Sequence, residues 1–587
     1  MHRAILKAAA MLRLATAAIL AAPPAQAFDP APIPGRSGMV VTAQHRATEV
    51  GLDILKRGGN AIDAAVAVGY ALAVTYPAAG NLGGGGFMTV RLADGTTGFL
   101  DFREKAPAAA TATMFLDADG NVVKGRSTDT WLAIGVPGTA AGLEAARVKW
   151  GHMDRATLLA PAISLAREGF VVEPGDAALL GAVDLSNDPA VAAIFRPAGQ
   201  KPRPGDRLVQ SDLADTLAQL ATTGPDALYQ GAIADAIVAA STANGGILQK
   251  SDFSTYRVRD LPPVACSYRG YQIVSAPPPS AGGVVLCETL AVLEGYDIAT
   301  PGFHAATSIH LMAEALRQAF KDRNNRLGDP DFVQNPIAEL TSPAYAARIR
   351  QRIDPKRATP SATMQDPPHE GTNTTHYSVM DAAGNAVSVT YTLNEWFGAK
   401  RMAPGTGIVL NNEMDDFTAK PGVANMFGLV QGAANAVAPG KTPLSSMTPT
   451  IVVKDGRTVM VIGSPGGPRI ISTVLNVIVN VVDYGMTIQE AIDAPRIHHQ
   501  WLPDTIYAER FALSPDTRAI LEAMGHKITD SAPFGIAEAI IAGSPRFGPP
   551  PPGGSAQSLV LVSPDAAGAT LFGAHDPRGG AGSAAGY

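Results

Sequence analysis

A segment of alternating residues that begins at Thr374 limits most strongly how this chain folds. Successive side chains there fall on opposite faces, as they do in a strand. Residues 381–385 follow with a turn signal that includes Gly384, and a second strand-like run spans residues 386–394. A three-residue loop would place Thr374 opposite Thr392, with Cβ atoms roughly 4.5–5.5 Å apart. The sequence therefore predicts an antiparallel hairpin that brings two hydroxyl groups together.

This hairpin suggests a chemistry only if the chain is cut before Thr374. A threonine hydroxyl is a weak nucleophile, but a threonine at a chain N-terminus carries its own α-amine as the base. The preceding residue is Asn373, and residues 351–373 are rich in Pro, Ser, Thr and charge, which suits a segment that moves away after cleavage. Taken alone, the hairpin favours the simpler alternative of a Thr-rich surface hairpin.

Composition narrows the class of protein and its partners. The chain has 587 residues, enough for a large core, and its net charge is -6 with 17% charged residues. It has no basic stripe, so we expect no nucleic-acid partner. The sequence shows no internal repeat.

The first 27 residues are typical of a secretory signal peptide. Positive residues precede a short apolar run at 14–22, and Ala25-Gln26-Ala27 is a small-x-small cleavage site. The apolar run is shorter than the ~20 residues that a membrane span needs. We therefore expect a mature chain that begins near Phe28, is periplasmic or extracellular, and has no membrane anchor.

The cysteines and histidines leave one question open and predict no metal. Cys266 and Cys287 are the only two cysteines; they either form a disulfide or are two small buried residues. His310 and Glu314 share a helix face, which we interpret as a surface contact because no His-Glu-x-x-His motif is present. No metal site is expected from these residues.

Local patterns predict several elements and one tight approach. The Gly-rich loop 81–87 lacks the Gly-Lys-Ser/Thr ending of a phosphate cradle, so we interpret it as close packing against another backbone. A Pro-rich stretch at 547–554 is interpreted as a loop insertion without an assigned role. Helices are predicted at 51–73, 284–294 and 304–325, and short strands at 88–92, 450–453, 459–463, 558–562 and 570–573.

Four further clusters accompany the sequence Thr374-Thr-His-Tyr-Ser. They are Leu-Asp-Phe-Arg-Glu-Lys-Ala-Pro at 100–107, Leu-Asn-Asn-Glu-Met-Asp-Asp-Phe at 410–417, Pro-Leu-Ser-Ser-Met-Thr-Pro at 443–449 and Gly-Ser-Pro-Gly-Gly-Pro-Arg at 463–469. Together they resemble the γ-glutamyltransferase (γ-glutamyl transpeptidase) family of N-terminal-nucleophile hydrolases, from about residue 38 to residue 587, which is nearly the whole mature chain. The resemblance implies an α+β fold with four layers (αββα), in which two antiparallel sheets are stacked between helices.

The resemblance also implies a division of the chain and a role for each motif. Self-cleavage would follow the signal peptide 1–27 with a large fragment 28–373 and a small fragment 374–587, intertwined as a heterodimer. Thr374 would be the nucleophile, supported by Thr392 and Asn394, and Gly466 and Gly467 would form the oxyanion hole. Side chains suited to a γ-glutamyl substrate are Arg103, Ser445 and Ser446 for its α-carboxylate, Glu413 and Asp416 for its α-ammonium, and Asn394.

Each of these residues also has a structural interpretation. Arg103 and Asp416 could form a structural ion pair, and Glu413 could be a solvated residue at a strand end. The two glycines could form only a turn, and the two serines could cap a helix. One position departs from the family pattern: Phe427 lies where relatives with a lid loop often carry a Tyr that bonds to the position of Asn394. We expect an apolar and looser latch there.

The function implied by the resemblance is γ-glutamyl transfer from glutathione, or another γ-glutamyl amide, to water, an amino acid or a dipeptide. The implied acyl transfer needs neither a metal nor an organic cofactor. The nearest alternative is an acylase of similar fold that acts on glutaryl or β-lactam side-chain amides. Such an enzyme needs no ammonium site, so Glu413 and Asp416 favour the glutamyl interpretation. A third alternative is a non-catalytic exported binding protein. The sequence leaves open the ratio of hydrolysis to transfer, the preferred acceptor and the oligomeric state.

Overall fold

The protein is described here from a computed structural model, which describes residues 31–361, 374–547 and 570–587. The predicted signal peptide, Asn373, the predicted strand at 558–562 and all but the first residue of the Pro-rich stretch lie outside these residues. Within the described parts of the chain, no helix combines the length and the apolar character that crossing a bilayer requires.

The described chain runs through groups of successive strands and groups of successive helices. The strands are β1 (Ile33–Gly35), β2 (Gly38–Thr42), β3 (Gly85–Arg91), β4 (Thr97–Asp101), β5 (Phe170–Val171), β6 (Arg207–Leu208), β7 (Arg259–Leu261), β8 (Val264–Tyr268), β9 (Tyr271–Ser275), β10 (Thr375–Asp381), β11 (Ala386–Thr392), β12 (Arg401–Met402), β13 (Val409–Leu410), β14 (Thr450–Lys454), β15 (Arg457–Gly463), β16 (Ile497–His498), β17 (Ile506–Glu509), β18 (Ile528–Ser531), β19 (Glu538–Ala542), β20 (Leu571–His575) and β21 (Ser583–Gly586). The α-helices are His45–Lys56, Ala61–Thr75, Thr139–Trp150, Arg155–Glu168, Pro174–Gly181, Pro189–Phe195, Ser211–Thr223, Asp226–Tyr229, Ala232–Ala243, Lys250–Ser254, Gly282–Leu293, Ala306–Arg326, Ile337–Leu340, Pro343–Arg350, Arg469–Val482, Ile488–Asp493 and Pro515–Ala523, with short 3₁₀ turns at Trp131–Ala133, Pro197–Gly199, Glu413–Asp416 and Ala433–Asn435.

Two seven-stranded antiparallel sheets form the centre of the molecule. Sheet I has the order β21-β2-β10-β11-β3-β4-β7, and sheet II has the order β1-β20-β19-β15-β14-β9-β8. Apolar residues such as Met39, Met380 and Ile451 fill the space between the sheets. The helices His45–Lys56 and Ala61–Thr75 cover the outer face of sheet I, and Gly282–Leu293 and Arg469–Val482 cover that of sheet II. The expected α+β, four-layer αββα architecture is confirmed.

The hairpin register predicted from the sequence is also confirmed. Thr375 pairs with Tyr391, and the ladder continues to Met380 opposite Ala386, with Gly384 at φ 92° in the three-residue loop. The alternative of a surface hairpin is wrong, because β10 and β11 are buried along their whole length in the middle of sheet I. Their neighbours β2 and β3 come from far earlier in the chain, so residues on both sides of Thr374 build both sheets.

Local sequence explains the elements that carry the site. Asn60 and Asp63 form a reciprocal capping box at the start of the Ala61–Thr75 helix, and small residues allow that helix to be buried all round. The Gly-rich loop approaches other backbone as predicted: a Cβ on Gly84 would lie 2.0 Å from the Thr392 carbonyl oxygen. Of the two alternatives for the cysteines, the structure has the disulfide between Cys266 and Cys287.

Candidate active site

The two threonines of the hairpin form the centre of the site. Thr374 Oγ1 lies 3.0 Å from Thr392 Oγ1. Thr392 Oγ1 accepts a hydrogen bond of 2.9 Å from the Asn394 backbone N–H, which leaves the Thr392 hydroxyl hydrogen free to point toward Thr374. Both threonines are buried. This geometry can orient the Thr374 hydroxyl and stabilise negative charge that develops on its oxygen.

The backbone at Thr374 is strained. Its φ is 129°, a region that a β-branched L-residue rarely occupies because its Cβ collides with the backbone. Strain of this kind costs of the order of 1–3 kcal/mol and is often found at functional sites.

Gly466 and Gly467 lie at the start of the helix Arg469–Val482. Their φ angles are 134° and 55°, which glycine adopts at little cost. Within the described residues, neither backbone N–H donates a hydrogen bond. The helix of 14 residues adds the positive end of its dipole at the same place. The two N–H groups are therefore available to an oxyanion, although they also shape a turn.

A buried charge cluster lies beside the threonines. Arg103 Nη1 is 2.6 Å from a Glu413 carboxylate oxygen, and Nη2 contacts Asp416. The guanidinium is 1% exposed. Burial would lower the pKa of Arg103, but Glu413 and Asp416 outweigh it and raise that pKa above its ordinary value. The ion pair considered for Arg103 and Asp416 thus exists, whereas the interpretation of Glu413 as a solvated residue is wrong, because Glu413 is buried.

The cluster carries more carboxylates than its arginine neutralises. Glu104 Oε2 lies 4.0 Å from Arg103 Nη1, and burial raises the pKa of Glu104 to about 7. Burial also raises the pKa of Glu413 well above its ordinary value. Within the described residues, neither Glu413 oxygen makes an aligned hydrogen bond. The surplus of acceptors suits a ligand that brings a cation and an anion together.

A second arginine, which the sequence analysis missed, completes the anion side. Arg323 Nη2 donates 2.9 Å to Ser446 Oγ, and Nη1 donates to Gln431. Burial lowers the pKa of Arg323 to about 10, and its Nε has no partner within the described residues. Ser445 Oγ accepts from the Met447 N–H, and no helix begins at these serines, so the helix-capping interpretation is wrong.

The loop that contains Phe427 lies over the site, with a contact one residue away from the expected one. Asn394 Nδ2 lies 3.8 Å from the Met426 sulfur. The Phe427 ring packs against Gly467 instead, so closely that a Cβ on that glycine would lie 2.8 Å from the ring. The buried Asp415 carboxylate accepts the Met426 N–H at 3.1 Å and the Ser127 hydroxyl at 2.6 Å. The contact with Asn394 is therefore made by the Met426 thioether, and Asp415 holds this residue; a latch role for the loop stays a prediction.

One cavity collects the residues predicted from five separate motifs. It is lined by Thr374, Thr392, Arg103, Asn394, Glu413, Asp416, Ser445, Ser446 and Gly467, together with Arg323, Phe427, Leu429, Met447, Pro468 and Ile470. Gly466 precedes the lining residue Gly467 and does not itself line it. Arg323 lies in the charged and polar run that ends the helix Ala306–Arg326, and none of the motifs recognised in the sequence includes it.

The interpretation of His310 and Glu314 as a surface contact is wrong. Both are buried, and the His526 imidazole lies against them, with His310 Nδ1 2.8 Å from His526 Nε2. These three side chains lie outside the cavity described above.

Comparison with known proteins identifies what this chain is similar to. The family model for gamma-glutamyltranspeptidase matches residues 47–548. A glutathione hydrolase proenzyme of Pseudomonas sp. (strain A14) is 55% identical over 98% of both chains, and one of Escherichia coli (strain K12) is 49% identical over 93% of this chain and 91% of its own. The crystal structure of a cephalosporin acylase from Bacillus halodurans matches 97% of this chain and 98% of its own, with 27% identity and a TM-score of 0.79.

Proposed function

Because this chain belongs to the γ-glutamyltranspeptidase family, we propose that it is a self-processing enzyme that transfers a γ-glutamyl group from glutathione or another γ-glutamyl amide. The acceptor is water, an amino acid or a dipeptide. One observation carries the proposal. The hydroxyl pair of Thr374 and Thr392 lines the same cavity as three buried charged side chains, those of Arg103, Glu413 and Asp416.

Maturation begins with attack of Thr374 Oγ on the carbonyl carbon of Asn373. The peptide C–N bond breaks as the ester C–O bond forms, and the proton passes to the departing α-amine of Thr374. Water then hydrolyses the ester, which frees the carboxylate of Asn373 and the Thr374 hydroxyl. The strained φ of Thr374 supports this step, because cutting the bond before it releases that strain.

The two fragments stay together after the cut. The small fragment supplies β10 and β11 to the middle of sheet I, where β2 and β3 of the large fragment flank them. The same fragment supplies the central strands of sheet II. Separation would expose both cores, so a stable heterodimer of 28–373 and 374–587 follows.

In the mature enzyme the α-amine of Thr374 acts as the base. Thr374 Oγ attacks the γ-carbonyl carbon, the amine takes the hydroxyl proton, and the N–H groups of Gly466 and Gly467 stabilise the oxyanion, an effect of about 10²–10³ in rate per donor. The amine then protonates the leaving nitrogen, and a γ-glutamyl ester remains on Thr374. Water or an acceptor amine attacks this ester in the same way and restores the hydroxyl.

The charge cluster recognises the α-amino acid end of the substrate. Arg103 turns from the carboxylates to the substrate α-carboxylate, with the Ser445 and Ser446 hydroxyls beside it, and Asn394 adds a neutral contact. Glu413 and Asp416 then hold the substrate ammonium, so that every buried charge keeps an opposite partner. The steps use groups of this chain, its substrate, and the water or acceptor amine that attacks the ester.

The acylase alternative has less support: an Acylase ACY 1 proenzyme of Pseudomonas sp. (strain V22) is 41% identical over 85% of this chain, against 55% over 98% for the glutathione hydrolase proenzyme of Pseudomonas sp. (strain A14). The cephalosporin acylase of Bacillus halodurans shares the architecture, but a glutaryl group has no ammonium to meet Glu413 and Asp416. The binding-protein alternative leaves the strained Thr374 and its hydroxyl partner without a use. An assay of the wild type and Thr374→Ala with a γ-glutamyl anilide tests the proposal: release of the free aniline by the wild type alone is expected, and activity in Thr374→Ala would overturn the nucleophile assignment.

We also propose that the protein is exported. Residues 1–27 have the features of a signal peptide, and the disulfide between Cys266 and Cys287 is typical of an oxidising compartment. Mass spectrometry of protein from the periplasm or the medium tests this, with a first residue near Phe28 expected for the large fragment.

A further inference from the structure

A buried cluster of two imidazoles and a carboxylate lies away from the active-site cavity. His310 and Glu314 are one turn apart on the helix Ala306–Arg326, and His526 follows the helix Pro515–Ala523. They are 0%, 4% and 5% exposed. One ligand atom from each lies within 4.8 Å of those of the other two. A cluster of this composition is rarely buried without a reason, because each ring nitrogen and carboxylate oxygen needs a partner.

The hydrogen bonds of His310 fix which of its nitrogens is bare. His310 Nε2 lies 2.9 Å from the Asp354 carbonyl oxygen, which can only accept, so Nε2 carries the proton. Nδ1 is therefore an unprotonated donor of electrons, and it points at His526 Nε2 at 2.8 Å. A backbone carbonyl that holds the far nitrogen of an imidazole is the usual outer support of a metal-ligating histidine.

The carboxylate retains capacity for an ion. Glu314 Oε1 accepts the Thr359 N–H at 3.1 Å and lies 3.3 Å from Arg317 Nε. A carboxylate offers about four acceptor positions, so the remaining ones stay available. The guanidinium of Arg317 forms ion pairs with both Glu314 and Asp504, so these three groups together carry one net negative charge. The cluster as a whole therefore presents one negative charge and two imidazoles to a cation.

We propose that His310 Nδ1, His526 Nε2 and a Glu314 oxygen bind one divalent transition-metal ion of the Zn²⁺ type. Two imidazoles and one carboxylate form a known zinc ligand set, and imidazole favours this class of metal over Ca²⁺ or Mg²⁺. The ion replaces the N–H···N hydrogen bond, and the His526 ring proton passes to its Nδ1. Bonds of about 2.0–2.1 Å in a tetrahedral arrangement put the two nitrogens about 3.3–3.4 Å apart, so the rings separate by roughly half an ångström.

The position of the ion gives it a consequence for the processed protein. His310 and Glu314 belong to the large fragment, and His526 belongs to the small one. The cluster also holds residues 354 and 359 through the Asp354 carbonyl and the Thr359 N–H, which lie near the end of the large fragment. The ion would therefore tie the two fragments together near the new chain end. Binding of the ion does not depend on the proposed cleavage; only this bridging role does.

The test is metal binding by the purified full chain after removal of metal with a chelator. We expect one equivalent of Zn²⁺ in competition with a chromophoric chelator, a Zn²⁺-dependent rise in Tm, and a four-coordinate visible spectrum with Co²⁺. Glu314→Gln and His526→Gln should each weaken Zn²⁺ binding by at least about tenfold. His152→Gln, a change at an exposed histidine, should bind as the wild type does.

Two results would overturn the site. One is a wild type that takes up no stoichiometric Zn²⁺ and shows no four-coordinate Co²⁺ spectrum, a measurement that needs no variant. The other is unchanged binding in both ligand variants. If Zn²⁺ binds but the urea midpoint for fragment separation is the same with Zn²⁺ and with EDTA, the bridging role is excluded. The Thr374→Ala chain, which is expected to stay uncut, should bind Zn²⁺ as the wild type does. Failure of the proposed cleavage is therefore distinguished from failure of the metal site.

Discussion

The hydroxyl oxygens of Thr374 and Thr392 lie 3.0 Å apart across an antiparallel pair that is buried in the middle of a seven-stranded sheet. The second of these oxygens is fixed by the Asn394 N–H. The neighbouring strand therefore fixes the position of the Thr374 hydroxyl, which is less mobile than a residue at a free chain end. The proposed nucleophile is therefore positioned before the reaction, which lowers the entropy that its attack costs.

Removing the Thr392 hydroxyl should slow both self-cleavage and turnover. Thr392→Val keeps the shape of the side chain but cannot hydrogen-bond to Thr374. A net hydrogen bond contributes about 0.5–1.5 kcal/mol, so we expect both rates to fall about two- to tenfold. Thr392→Ser keeps the hydroxyl and is the matched control. Equal rates for the Val and Ser variants would show that the contact has no role.

Substrate charge should distinguish a glutamyl enzyme from an acylase. Arg103→Ala and Asp416→Ala each leave a buried charge unpaired, which costs about 2–5 kcal/mol in a desolvated contact. We expect kcat/KM for a γ-glutamyl anilide to fall by the factor that corresponds to this loss of free energy. Self-cleavage, which binds no glutamate, should persist.

A glutaryl anilide provides the control for this experiment, since it lacks the ammonium. It should be a poor substrate for the wild type, and Asp416→Ala should harm its turnover far less. If the wild type prefers the glutaryl substrate, the acylase alternative replaces the glutamyl one.

The latch of the lid should control the ratio of transfer to hydrolysis. Met426→Leu removes the sulfur that faces the Asn394 amide while keeping a similar volume, so we expect water to reach the ester more easily and the hydrolysis share to rise. Phe427→Tyr adds a hydroxyl at the neighbouring position and should change the ratio the other way. The effects should be about two- to threefold, since thioether contacts are weak. Val423→Leu, at an exposed position of the same loop, should leave the ratio unchanged; a change as large as that of Met426→Leu would remove the latch from this account.

The Asp415 carboxyl should make stability depend on pH. Burial raises its pKa to about 7, above the value of about 3.9 for an unfolded chain. Between these values the folded state holds a proton that the unfolded state has lost, so folding weakens as pH rises through this window. The contribution is at most about 4 kcal/mol, at about 1.36 kcal/mol per pKa unit.

Asp415→Asn removes this dependence. Tm of the wild type relative to Asp415→Asn should therefore decrease between pH 4 and pH 7 and stay level above pH 8. A Tm difference that is constant across this range, or that increases with pH, would contradict a raised pKa at this residue.

The sequence predicts local relationships in this protein better than distant ones. The register of Thr374 against Thr392 follows from a three-residue loop and a period of two. Burial of the hairpin does not follow, because its neighbours β2 and β3 come from a remote part of the chain. The motif residues were recognised individually, but their convergence in one cavity depends on how the loops fold.

The residues that were missed share a physical reason. Arg323 and His526 act through partners far away in sequence, so no periodic pattern marks them. In the lid, a loop without a fixed period decides whether residue 426 or 427 faces Asn394, and the expectation was one residue off. For the same reason the sequence does not decide whether the two cysteines form a disulfide, since only folding brings Cys266 next to Cys287.

The most direct test of the central claim is the N-terminal sequence of the fragments in purified protein, read alongside the Thr374→Ala chain. We expect two wild-type fragments, the smaller of which begins at Thr374, and one uncut, inactive chain for Thr374→Ala. Thr374→Ser should cut at the same bond, because it keeps a hydroxyl. A small fragment that begins at any other residue, or a Thr374→Ala chain that is cut at this bond, would contradict the account.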